Sequence, residues 1–245
     1  MKTYKILSIG NSFSEDAQTY LYRIAAESGI AVKTVNLFIG GCPLSLHYRN
    51  MLSECPAYEF QFNGMNTGLR ISLKEALLLD DWDVVTLQQV SHYAPFWDTW
   101  QPYLSELSAY VRRCQPKAAQ WIHETWAYEA GSKRLTEELH FDEPTDMLAA
   151  IADCCRLAQR DIDAAGIIPC GEAMLEGARA FGRIHRDTFH ADLTVGRFLL
   201  SCTWIAALLG VDPTTLRVPR LDGEADPAVL RRAAEIAKSV ASRDN

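Results

Sequence analysis

Nowhere in these 245 residues do two cysteines stand two residues apart, although seven are present. A structural zinc site draws on such paired spacing, and a secreted disulfide scaffold would be shorter and denser in cysteine. The thiols therefore read as reduced and mostly buried. Basic runs are also missing. Lysine and arginine number 24 against 31 aspartates and glutamates, a formal net charge of −7, which argues against a nucleic-acid-binding surface. No apolar run is long enough to cross a bilayer: the most apolar stretch, 198–210, is too short and follows Arg197. The apolar run near the N-terminus is about five residues, shorter than the core of a signal peptide. These absences lead to the expectation of a cytoplasmic protein. No repeat, low-complexity run or linker divides the chain, so a single domain over residues 1–245 is expected.

What is present suits a soluble globular protein, with 48% hydrophobic and 22% charged residues. A chain of this size builds one core without staples. Short apolar runs at 4–10 (YKILSIG), 32–38 (VKTVNLF), 82–89 (WDVVTLQQ), 119–126 (AQWIHETW) and 167–174 (IIPCGEAM) read as five buried strands. Helical periodicity at 17–29, 73–81, 103–114, 144–166, 193–209 and 226–241 alternates with them. Residues 58–68 read as a hairpin or an irregular insertion. Strands alternating with helices imply an α/β fold of three α/β/α layers around a five-stranded parallel, flavodoxin-like sheet. Such sheets hold ligands beyond the carboxyl ends of their strands.

Ser12 follows Gly10 and Asn11 at the end of the first strand, where that rule places a site. Asp187 precedes His190 by three residues on a turn into the apolar helix. A serine nucleophile needs a base, and an imidazole base works best when a carboxylate holds its other nitrogen. The plainer alternatives are a turn serine, a capping aspartate and a half-buried histidine. Tyr93, Phe96, Trp97 and Trp100 either wall a pocket or pack under a loop. Asp192 reads as a cap, and nothing in the sequence near Cys42 marks an activated thiolate.

Read in chain order, IGNSFS (9–14), IGGC (39–42), DVVTLQQ (83–89) and DTFH (187–190) resemble the SGNH (GDSL-like) hydrolase superfamily. The resemblance spans about 4–210 and is closest to a branch of uncharacterised bacterial proteins with a Gly-Asn-Ser first motif. It implies Ser12 as nucleophile, His190 as base and Asp187 as the acid that orients it. It places the oxyanion hole at the N–H groups of Ser12 and Gly41, Gly41 being favoured over Gly40. The superfamily's third motif supplies an asparagine amide, and this chain has glutamines instead. Gln88 takes that place, with Gln89 next to it. Gln89, His92, Trp97 and Trp126 are candidate substrate contacts, and His47 is a further candidate to line the pocket. The resemblance requires no metal and no organic cofactor, and it implies a small-molecule ester as partner, an acetyl ester of a carbohydrate among the options. The rival reading is a non-catalytic flavodoxin-like module that binds a sugar in the same crevice. A metal-dependent hydrolase ranks below both.

Overall fold

The computed structural model describes residues 2–243. Ile6, Leu7 and Ile9 of β1 (Tyr4–Gly10) are wholly buried, as a central strand covered on both faces requires. After α1 (Ser12–Gln18) and α2 (Leu21–Glu27) comes β2 (Val32–Phe38), then α3 (Leu44–Ser53), the hairpin β3 (Tyr58–Phe62) and β4 (Met65–Ile71), α4 (Leu73–Leu78) and β5 (Val84–Leu87). The second half runs α5 (Tyr103–Cys114), β6 (Ala119–His123), a π-helical turn at Arg134–Glu138, α6 (Pro144–Asp161), β7 (Gly166–Ile168), α7 (Cys170–Phe181), α8 (Val195–Leu209) and α9 (Pro227–Ala241).

The sheet order is β4-β3-β2-β1-β5-β6-β7. Its parallel part, β2-β1-β5-β6-β7, has the flavodoxin-like order. The chain leaves β1 towards β2 and returns across it to β5, so a crevice opens beyond Gly10 and Leu87.

The sheet has seven strands rather than five. β3 pairs antiparallel with β2, and β4 with β3, extending one edge. Asn63 and Gly64 carry φ of +51° and +77°, the conformation an Asn-Gly hairpin turn needs. A Cβ on Gly64 would also come 2.6 Å from the Thr19 carbonyl oxygen. β4 is mostly exposed, as an edge strand can be.

Three strands are shorter than their apolar runs. β7 stops at Ile168 because Pro169 has no N–H to give a ladder and instead leads into α7. β5 and β6 stop at Leu87 and His123, and the chain beyond each turns into loop.

Helix α8 packs among α1, α7 and α9, which accounts for its apolar character all round. Helices α3, α4 and α5 form the other group. In α9, Asp226 caps the helix by accepting the Ala228 N–H at 2.7 Å, with Pro227 at the first helical position. Among the described residues, no helix is long and apolar enough to cross a membrane. All seven cysteines are free thiols.

Candidate active site

The turn out of β1 is built by a reciprocal cap. Asn11 Oδ1 accepts the Phe13 N–H and Ser14 Oγ accepts the Asn11 N–H, both at 3.0 Å. Gly10 is obligatory there, because a Cβ would fall 2.0 Å from Ser14 Oγ. Ser14 is thereby a buried cap serine, and Ser12 is left facing the crevice.

From 178 residues away, His190 brings its Nε2 to 2.8 Å from Ser12 Oγ. Its Nδ1 lies 2.8 Å from Asp187 Oδ2, and the other oxygen of Asp187 accepts the His190 backbone N–H at 2.9 Å. Burial alone would raise the Asp187 pKa. The hydrogen bonds from the His190 ring and backbone outweigh it, and the carboxyl titrates below its ordinary value.

Several contacts hold this turn in place. Thr188 adopts φ +75°, a strained conformation for a β-branched residue, and its carbonyl accepts the Glu129 N–H at 2.7 Å. Trp126 Nε1 donates to the Phe189 carbonyl at 2.7 Å. On the far side, Asp16 Oδ2 accepts the Ala191 N–H at 3.1 Å. Asp16 is wholly buried and also takes Arg186 Nη1 at 2.8 Å and Arg197 Nε at 2.8 Å. Because Asp16 lies one turn after Ser12 on α1, the segment bearing the serine is tied to both ends of the turn bearing the histidine. Asp192 caps α8, accepting the Thr194, Val195 and Gly196 N–H groups at 2.7–2.9 Å.

The crevice is an open cavity of about 990 Å³. Ser12, His190, Gly40 and Gly41 line it, and Gly41 turns at φ +63°. His92, Tyr93 and Phe96 also line it, with Tyr93 and Phe96 exposed. Burial lowers the His92 pKa, with the Arg134 charge adding to the effect.

Other expected contacts lie elsewhere. Gln88 is buried: its Nε2 donates to Asn11 Oδ1 at 2.8 Å, and its Oε1 sits 2.7 Å from His123 Nδ1. Asn11 therefore stands between Gln88 and the cavity, and Asn11 is the one that lines it. Gln89 braces backbone instead of substrate: its Oε1 accepts the Leu44 N–H at 3.0 Å and its Nε2 donates to the Thr99 carbonyl at 2.7 Å. Trp97 packs on Trp100, with ring centroids 6.2 Å apart, and Trp126 is fully buried against Phe13 at 4.2 Å. Trp126 is enclosed in the core and Trp97 is half-buried against it, and neither lines the cavity.

His47 is buried on Tyr58, and burial takes its pKa down to about 3; the same holds for His123. Burial pushes the Cys42 thiol up to about 12, which leaves no thiolate at neutral pH. Among the described residues, no three His, Cys, Asp or Glu side chains gather as metal ligands would. The sequence reading missed Asp16, Arg186 and Arg197, whose partners lie far along the chain, and Tyr128, Arg134 and Phe189, which line the cavity.

The family model described as "Domain of unknown function (DUF4886)" matches residues 5–243. A DUF4886 family protein from Bacteroides uniformis is 30% identical, with a TM-score of 0.88 over 99% of this chain and 96% of that one. A protein from Slackia heliotrinireducens, provisionally described as an SGNH hydrolase, is 22% identical with a TM-score of 0.59, over 82% of this chain and 97% of that one. A variant of an acetyl xylan esterase from Geobacillus stearothermophilus is 12% identical with a TM-score of 0.53, over 84% of this chain and 95% of that one. The fold is that of the SGNH (GDSL-like) hydrolases, and an uncharacterised branch of them fits the family match. No curated protein matched the chain.

Proposed function

The chain belongs to the DUF4886 family, and from that premise we propose that it is an SGNH-type serine esterase working through an acyl-enzyme. One observation carries the reading: Ser12 Oγ, the two His190 ring nitrogens and Asp187 Oδ2 form a hydrogen-bonded line, each link 2.8 Å, at the wall of an open cavity. A module that only binds has no use for a line of proton-transfer partners.

In this mechanism Ser12 attacks the ester carbonyl as His190 Nε2 takes its proton. Asp187 fixes the Nδ1–H tautomer and stabilises the imidazolium. His190 then gives the proton to the leaving alcohol, and water hydrolyses the acyl-serine by the reverse use of the same groups. The oxyanion is held by the Ser12 and Gly41 N–H groups. We reassign the third donor from Gln88 to Asn11 Nδ2, which gives one N–H to the Cys42 carbonyl at 3.2 Å and keeps a second. Gln88 and His123 orient that amide from behind. Losing one oxyanion donor typically costs about 2.7–4 kcal/mol of transition-state stabilisation.

The substrate is a small-molecule ester, and an acetyl ester of a carbohydrate is the class we favour. Exposed aromatic faces at Tyr93 and Phe96 suit a sugar ring, and one fold relative is named an acetyl xylan esterase. The test measures acetate release from acetylated mono- and oligosaccharides beside 4-nitrophenyl acetate. The class stands if the sugars give the higher kcat/KM, and it falls if only the activated aryl ester reacts.

A further inference from the structure

The chain between β6 and α6 passes along the cavity, and its π-helical turn puts Arg134 and Glu138 in the wall. The Arg134 guanidinium carbon lies 4.1 Å from the centroid of the Phe189 ring. That ring lies 4.0 Å from the His190 imidazole, centroid to centroid. A cation thus stands one aromatic ring away from the base.

This arginine has no structural partner of opposite charge. Among the described residues it enters no ion pair, although Glu138 lies on the same turn. Stacking on Phe189 fixes the plane of the guanidinium, and one N–H meets the Tyr128 hydroxyl, which leaves the rest of its five donors for a ligand in the cavity. A planar fork of donors held in a cavity wall matches a carboxylate or phosphate, which accepts two of its hydrogen bonds at once. The location also indicates which half of a substrate it meets. His190 delivers its proton to the leaving alcohol, so the alcohol part lies on the side of the imidazole, and Arg134 lies beyond Phe189 there.

We infer that Arg134 is an anion subsite for the alcohol part of the substrate, so that the ester is one whose alcohol bears a carboxylate or a phosphate. This inference rests on the esterase reading above and narrows it to an anionic substrate.

The test compares three acetyl esters in the full-length chain: 3-acetoxybenzoate, 3-acetoxyphenyl phosphate and neutral methyl 3-acetoxybenzoate. The quantity read is the ratio of kcat/KM for each anion to that for the neutral ester. In Arg134→Gln the ratio should fall about tenfold or more, mainly through KM, as expected for a lost charge-assisted contact. Arg134→Lys should restore part of it, and added salt should lower it in the parent chain. The arm with the larger loss tells carboxylate from phosphate. A parallel titration with the products 3-hydroxybenzoate and 3-hydroxyphenyl phosphate reads binding alone. Hydrolysis with an unchanged ratio overturns the anion subsite and leaves the esterase standing. Arg134-dependent product binding without hydrolysis of any ester upholds the subsite and overturns the esterase. Absence of both hydrolysis and Arg134-dependent binding overturns both.

Discussion

Asp16 and Arg186 meet across 170 residues of chain, with Arg186 Nη1 at 2.9 and 2.8 Å from the two oxygens of a carboxylate that is wholly buried. Arg197 and the Ala191 N–H complete its shell. The arrangement joins the helix that presents Ser12 to the turn that presents His190. Asp16→Asn leaves two guanidinium groups short of a countercharge, and breaking a buried pair from one side typically costs about 3–5 kcal/mol. Urea unfolding should show that loss. The variant should also lower kcat where it still folds, because the His190 turn loses its anchor. Stability and kcat both close to the parent values would show that the cluster positions nothing.

A second prediction concerns acid. His47 and His123 are fully buried, and burial depresses both pKa values to about 3. Unfolded, each would titrate near 6.5. Between those values the unfolded chain holds more protons than the folded one, so stability rises with pH and is lost as pH falls from about 6.5. The expected slope is about 1.4 kcal/mol per pH unit for each histidine. Urea titrations at pH 7 and pH 5 measure it, and His123→Gln should remove about half the slope. Asp187 works in the same direction at lower pH: its depressed value stabilises above about 3.9 and is lost below. A stability unchanged between pH 7 and 5 would show that these imidazoles take up protons while folded.

A third prediction separates the two amides behind the oxyanion. Asn11→Asp keeps an acceptor for the Phe13 N–H and for Gln88 Nε2 but removes the Nδ2 donor. It should lower kcat by about 10²–10³ with little change in KM, since the lost bond forms in the transition state. Gln88→Ala should cost about tenfold, by loosening Asn11. If steady-state kinetics put the large loss on Gln88→Ala and leave Asn11→Asp mild, the donor is Gln88.

The parts of this architecture that rest on local pattern were legible in the sequence. Short apolar runs mark the five parallel strands, three of them closed by Gly10, Gly40 and Pro169, and their alternation with helices gives the layers. The Ser12 turn and the Asp187–His190 turn each occupy a few consecutive residues, so their residue types could be read directly. Contacts set by distant residues were not legible. Asn63-Gly64 announces a turn, but nothing local says that β3 will add to the edge at β2. Gln88 looks exposed to the crevice until His123, from the neighbouring strand, claims its Oε1. Trp126 looks like a substrate contact until Phe13 and the Phe189 carbonyl enclose it. Asp16 carries no local signal in the sequence, because its two arginines come 170 and 181 residues later.

The most direct measurement is active-site labelling with a fluorophosphonate, followed by peptide mapping of the modified residue. Ser12 sits 2.8 Å from the His190 nitrogen that would take its proton, so it should be the serine that carries the label. Labelling should be lost in Ser12→Ala and slowed by orders of magnitude in His190→Ala, with both variants folded by circular dichroism. Label on Ser14 or on Ser91, which also lines the cavity, with Ser12 untouched, or labelling of Ser12 at an undiminished rate without His190, would contradict the account.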